Sequence, residues 1–311
     1  MANKFRYPTG VRPLLVEEAA RRKRIEARFA ARLESDGFDE VFLPIIDYVE
    51  PYVQLRRGAA AKQSYRFVDR EGELVAIRSD FTPMVARALA PTITEGDLPL
   101  RIFYRGDVIR VEATRLGANR EMFQIGAEII GDPTVQADID VLRLAADLAR
   151  AAGATPVIVY NDVSIAKSLG DDARQALVSK RIARDGSLPE LAVKILDGTA
   201  TLNDVRDFAP LAADRLDAIA RGAGSECLLQ LDDVDAAAGY YTGIHFRVYD
   251  ADTRKRIAEG GRYDDLYARF GTSAAAIGFT FTIDESTDDV GRASARPDDE
   301  VGLKPDLRGD E

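Results

Sequence analysis

Ile25, Phe29 and Leu33 recur four apart within residues 13–35, a spacing that predicts an amphipathic helix. Pro13 suits its first position, Glu17 and Glu18 suit its positive end, and Ser35-Asp36-Gly37 stops it. FDEVFLPIID, residues 38–47, reads as a strand with Pro44 in its middle, so an edge or interface strand is expected. Residues 63–79 alternate as a hairpin turning at Arg70-Glu71-Gly72. A helix opens at Asp80-Phe81-Thr82-Pro83, with Asp80 placed as N-cap. Two strand signals follow, IFYRGDVIRVE (102–112) and MFQIGAEII (122–130), joined by a polar connection. Residues 134–152 predict a helix with Ile139, Leu142, Ala146 and Ala149 on one face, ended by Gly153 and followed by a strand from Pro156 to Tyr160. From about 164 to 224 helical periods are broken at Gly170, Gly186 and Gly198, the pattern of a helical insertion. Strand signals resume at 225–234, 239–250 and 255–266. The sum is an α+β chain, mainly antiparallel sheet flanked by helices.

Composition narrows the classes. The chain has 311 residues, 46% hydrophobic and 30% charged, enough for a substantial core. One cysteine, Cys227, excludes an internal disulfide, and with one histidine, His245, it argues against a zinc site built from this chain. Cys227 is placed as a small core residue and His245 as structural or exposed rather than catalytic. No apolar run reaches the length of a membrane span, and the polar start lacks a signal-peptide core, so a cytoplasmic address is expected. A net charge of −10 argues against broad nucleic-acid binding, and Arg21-Arg22-Lys23-Arg24 reads as a solvated helix face. Residues 286–311 are acidic and poor in apolar side chains, the composition of a disordered tail.

The chemistry concentrates in the two central strand signals. Period-two alternation puts Arg110, Glu112, Gln124 and Glu128 on one sheet face, with Arg120 on the connection between. Carboxylates accept from an ammonium group and guanidinium forks onto an anion, so this mixture suits a small zwitterion. An ordinary hairpin with solvent-facing charges is the competing reading.

This stretch resembles motif 2 of class II aminoacyl-tRNA synthetases in its histidyl version: I-R-V-E at 109–112, a loop, then R-E-M-F-Q-I-G-A-E at 120–128. Tyr240-Tyr241 followed by Gly260-Gly261-Arg262-Tyr263-Asp264 resembles that family's D-Y-Y and G-G-R-Y-D segments. Ile77 to Thr82 resembles its L-R-P-E-G-T, with Asp80 one methylene shorter than the family's glutamate. Residues 13–47 follow the helix-strand layout of its dimer-forming motif 1. The resemblance covers about residues 5–285. It implies a class II synthetase-like core with the helical insertion at 164–224, and a histidine pocket formed by Asp80, Thr82, Gln124, Glu128, Tyr241 and Tyr263. Arg110, Glu112 and Arg120 then belong to a nucleotide site.

Departures from the family point away from amino-acid activation. Where it has the arginine of R-G-L-D-Y-Y this chain has Ala236, and where it has the motif 3 arginine this chain has Glu285. Losing one such cation beside a phosphate typically costs orders of magnitude in rate. No anticodon-binding domain follows in this sequence, which argues against tRNA as a partner. The pattern resembles the regulatory subunits of ATP phosphoribosyltransferase, paralogues of histidyl-tRNA synthetase. That resemblance implies a non-catalytic role in histidine biosynthesis and no cofactor or metal. It also implies a short-form catalytic partner in a hetero-octamer, a self-dimer through motif 1, and histidine as feedback ligand. An active histidyl-tRNA synthetase fragment, a ligase charging another acceptor and a ligand-free scaffold remain alternatives.

Overall fold

The computed structural model describes residues 7–53, 55, 64–111, 119–180, 188–234 and 239–283. Glu112, Ala236, Glu285 and the acidic tail at 286–311 lie outside the described residues.

An eight-stranded sheet organises the chain, in the order β1-β5-β6-β11-β10-β9-β7-β8. Its strands are β1 (Asp39–Glu40), β5 (Leu100–Ile109), β6 (Glu121–Ile130), β7 (Pro156–Asp162), β8 (Cys227–Leu229), β9 (Ile244–Asp250), β10 (Arg256–Arg262) and β11 (Ala276–Thr282). The pairs from β5 through to β7 are antiparallel, and only the edge pairs β1–β5 and β7–β8 are parallel. A small antiparallel sheet, β2 (Ile46–Tyr48), β4 (Leu74–Ile77) and β3 (Arg66–Val68), stands beside it.

Strand β6 shows how the sequence divides the molecule. Phe123, Ile125, Ala127 and Ile129 point into a core formed with α1 (Val16–Ser35) and α3 (Val135–Ala152). Met122 and Ile130, of the opposite parity, join a second cluster with Val85 of α2 (Thr82–Leu89) and with Tyr104, Tyr241 and Tyr263. Gln124 and Glu128 share that second face and are buried. Alternation thus separates the structural face from the chemical one. The insertion is α4 (Val163–Ser168), α5 (Asp171–Ser179), α6 (Glu190–Leu196), α7 (Leu202–Phe208) and α8 (Pro210–Gly222). Ile165, Leu216 and Ile219 from it enter the same core as α3, so it packs onto the sheet.

Two local expectations are corrected and two others can be placed. The first helix begins at Val16, not Pro13, and the preceding turn is held instead by Arg12 reaching Glu18 at 2.9 Å. The stretch 38–47 is not one strand: β1 joins the large sheet and β2 the small one. Pro44, unable to donate to a ladder, lies between them. There Arg78 ties the sheets together, donating from Nη1 to the Leu43 carbonyl at 2.9 Å and from Nε to the Asp107 carbonyl at 3.0 Å. The Asp80 carboxylate caps the start of α2 as expected: it accepts the Thr82 N–H at 3.3 Å, with Phe81 already in helical conformation, and it lines the site described next. His245 is not exposed: it is fully buried against the Tyr241 ring, centroids 4.9 Å apart.

Candidate functional site

The start of α2, Arg110 just past β5, strands β6, β10 and β11, and the turn at Tyr240-Tyr241 enclose a cavity over the chemical face of the sheet. Behind its inner wall sits Glu128, 1% exposed. One carboxylate oxygen accepts from the Tyr104 hydroxyl at 3.0 Å and the Thr82 hydroxyl at 3.2 Å; the other accepts from the Tyr263 hydroxyl. Thr280 in turn bonds the Tyr104 hydroxyl at 2.9 Å. Two glycines make this packing possible. A Cβ at Gly278 would lie 1.5 Å from Glu128 Oε2, and one at Gly126 would lie 2.3 Å from the Tyr104 hydroxyl. Phe81 stacks on Tyr104 at 4.4 Å and holds its ring in place.

Burial pushes the Glu128 carboxyl up to about 7, although its three hydroxyl donors favour the charged form. The phenols of Tyr104 and Tyr263 are driven well above their usual range, first by burial and then by the Glu128 charge. They therefore stay protonated and remain fixed donors. A buried carboxyl poised near neutrality, ringed by hydroxyls, suits the recognition of a cationic or N–H-bearing ring.

The mouth of the cavity is charged. Asp80 and Arg110 stand on the β5 side, and Arg256 and Glu259, joined by a 2.9 Å ion pair, stand on the β10 side. Of the residues expected in the histidine pocket, Asp80, Thr82, Gln124, Tyr241 and Tyr263 line this cavity, and Glu128 backs it through Thr82 and Tyr263. Arg110 also lines it, its Nε donating to the Ser79 carbonyl at 3.4 Å. Arg120 does not line the cavity. It turns to the N-terminal segment, donating to the Thr9 carbonyl at 3.4 Å and lying 5.1 Å from the Tyr65 ring centre.

Six polar residues of the site were not placed in it from the sequence: Tyr104, Tyr240, Arg256, Glu259, Thr280 and Thr282. Register, which the sequence does not carry, brings two of them onto the face of Gln124 and Glu128: Glu259 opposes Thr280, and Thr280 opposes Gly126.

A further polar cluster secures the Tyr263 end. Arg262, 1% exposed, donates from Nε to Asp138 at 2.8 Å and from Nη1 to the Asp132 carbonyl at 3.0 Å. Asp138 also accepts from Arg215 of the insertion at 3.0 Å. Burial pushes the Asp138 carboxyl up, to about 6, against the pull of these two guanidinium groups. Opposite the cavity mouth, Lys167 of α4 donates to the Tyr241 carbonyl. The insertion therefore holds both tyrosine-bearing segments from behind.

The family model described as histidyl-tRNA synthetase matches residues 10–187 and 187–285. The ATP phosphoribosyltransferase regulatory subunit of Symbiobacterium thermophilum is 31% identical, over 89% of this chain and 78% of that relative. The chain belongs to the histidyl-tRNA synthetase family, among the ATP phosphoribosyltransferase regulatory subunits. The regulatory subunit of Geobacillus thermodenitrificans is 28% identical over 94% of this chain and 82% of its own length. A solved structure from Bacillus halodurans, described as an ATP phosphoribosyltransferase regulatory subunit/histidyl-tRNA synthetase, superposes with a TM-score of 0.80. It covers 92% of this chain and 84% of that one at 23% identity, which establishes the shared class II synthetase-like fold. Among the described residues no group of three or more histidine, cysteine or acidic side chains is arranged to hold a metal ion, and no helix is long and apolar enough to cross a membrane.

Proposed function

We propose that the chain is a non-catalytic regulatory subunit of ATP phosphoribosyltransferase, the first enzyme of histidine biosynthesis. It binds histidine in the cavity and passes the state of that cavity to a short catalytic subunit. The observation that carries this reading is Glu128, a carboxyl pushed up to about 7 by burial while it accepts from the Thr82, Tyr104 and Tyr263 hydroxyls. It is a matched acceptor for an imidazole N–H, while charged groups of both signs at the mouth match an amino acid's ammonium and carboxylate. The relatives' name supplies the partner, and Ala236 and Glu285, standing where the activating family has arginines, remove the cations that adenylation needs.

The subunit dimerises through its motif 1 region. Ile46, Tyr48 and Phe67 are exposed on one face of the small sheet, an apolar face of the kind that marks an interface. The expected compartment is the cytoplasm, and the larger assembly is a hetero-octamer. Co-expression with the short catalytic subunit of the same genome, followed by sizing and a phosphoribosyl-transfer assay, tests the reading. A co-eluting complex with faster transfer, slowed by histidine, is expected. A free chain that leaves the rate unchanged would overturn it. Robust histidine-dependent ATP–pyrophosphate exchange by the chain alone would establish the synthetase-fragment reading instead.

A further inference from the structure

Tyr241 forms one wall of the cavity, and its ring lies over Gly261, where a Cβ would stand 2.8 Å from it. The segment that carries the ring, residues 241–243, belongs to no helix or strand, so its place depends on a few polar bonds. Toward β10, the Thr242 N–H donates to the Arg262 carbonyl at 2.7 Å. Toward the insertion, α4 grips the segment twice. The Val163 N–H at its start donates to the Gly243 carbonyl at 3.0 Å, and Lys167, four residues on, donates from Nζ to the Tyr241 carbonyl.

Lys167 is not needed to hold α4 itself. Ile165 and Ala166 anchor that helix in the core, and the Asp162 carboxylate caps it by accepting the Ser164 N–H at 2.9 Å. Among the described residues Lys167 makes no ion pair, although Asp162 and Asp265 are near enough to favour its charge. Partial burial, and then Arg174, hold its ammonium below the usual lysine range. The side chain thus gives up solvation for a single bond, and that bond goes to the backbone of a cavity residue.

We propose that Lys167 is a positioning residue of the cavity: its bond to the Tyr241 carbonyl sets where the Tyr241 ring stands and makes ligand affinity depend on the placement of α4. The insertion thereby acts on the site without lining it. This role rests on the histidine-pocket reading. Linkage makes it reciprocal, so a ligand seated against Tyr241 also steadies α4.

Calorimetric titration with histidine and amide hydrogen exchange, both on the purified full chain, test it in the parent, Lys167→Met and Lys167→Arg. Methionine keeps an unbranched stem and removes the donor, and arginine restores one. Lys167→Met is expected to weaken histidine about three- to tenfold, and Lys167→Arg to recover most of that loss. Without ligand, the Thr242 and Val163 amides should exchange faster in Lys167→Met, while the amides of α5 to α8 exchange as in the parent. Unchanged histidine affinity in Lys167→Met would overturn the proposal. So would a loss of affinity accompanied by faster exchange throughout the insertion, which marks a merely structural role. If the parent binds no histidine the pocket reading fails, and the exchange comparison alone then decides whether Lys167 fixes the Tyr241 segment.

Discussion

Tyr263 donates its hydroxyl to Glu128 across the space that Gly278 leaves open. The two residues are 135 apart in sequence and come from β6 and from the turn after β10. Tyr263→Phe deletes one donor to a fully buried carboxylate. An unsatisfied buried acceptor costs about 1–3 kcal/mol, so unfolding in urea should shift by that amount. Histidine affinity should fall as well, since the acceptor is no longer held.

Glu128 makes stability depend on pH, and the sign follows from its raised carboxyl. In the unfolded chain it titrates near the ordinary glutamate value of 4.5, and in the fold at about 7. Between those values the native state holds the proton more tightly. Its contribution is therefore complete below about 4.5 and is lost as pH rises through about 7. The difference is worth roughly 3 kcal/mol at alkaline pH. Glu128→Gln should remove this dependence. Urea unfolding at pH 5 and pH 8 should show the parent losing stability with rising pH and the variant losing less. Equal pH slopes in the two proteins would contradict the assignment.

How much of this was legible in the sequence can be seen residue by residue. Gln124 and Glu128 were found because period-two alternation fixes the face on which a strand residue lies. The GGRYD segment was found because its residues are contiguous. Tyr104 and Thr280 were missed because their role depends on which strand pairs with which, and at what register: Tyr104 opposes Gly126, and so does Thr280 from the other side. Alternation within one strand carries no information about that pairing. Arg256 was hidden by the strand irregularity beside it, and the direction of Arg120, away from the cavity, was not legible because a polar connection carries no alternation to orient it. The helices were legible wherever apolar periodicity was long, as in α3, and their starts were less so.

Gly278→Ala tests the close approach itself. The added methyl would stand 1.5 Å from Glu128 Oε2 and 2.5 Å from the Ala127 carbonyl. Neither can yield without disturbing the β6–β11 ladder or the Tyr263 bond. Overpacking of this kind costs about 1–3 kcal/mol, sometimes more. The melting temperature should fall and histidine binding should be lost. Gly153→Ala is the contrast, since no atom lies within 4 Å of a Cβ there. Its left-handed φ of 90° costs stability but should leave binding unchanged.

Asp138→Asn separates the support of the site from its lining. Asp138 is completely buried and receives Arg262 and Arg215, and at neutral pH it carries charge because its raised value, about 6, still lies below 7. Asparagine keeps the shape and removes the charge, leaving the Arg262 guanidinium buried with backbone carbonyls and the Asp264 carboxylate. Breaking a buried ion pair from one side costs about 3–5 kcal/mol, so a large drop in denaturant midpoint is expected. Arg262 immediately precedes Tyr263, and Asp264 accepts the Ala276 N–H at 3.0 Å, so the hydroxyl that meets Glu128 should lose its fixed position. Histidine affinity should then fall by more than in Arg215→Ala, which removes only the outer partner of Asp138. Equal effects of the two substitutions on binding would show that the inner pair does not position Tyr263.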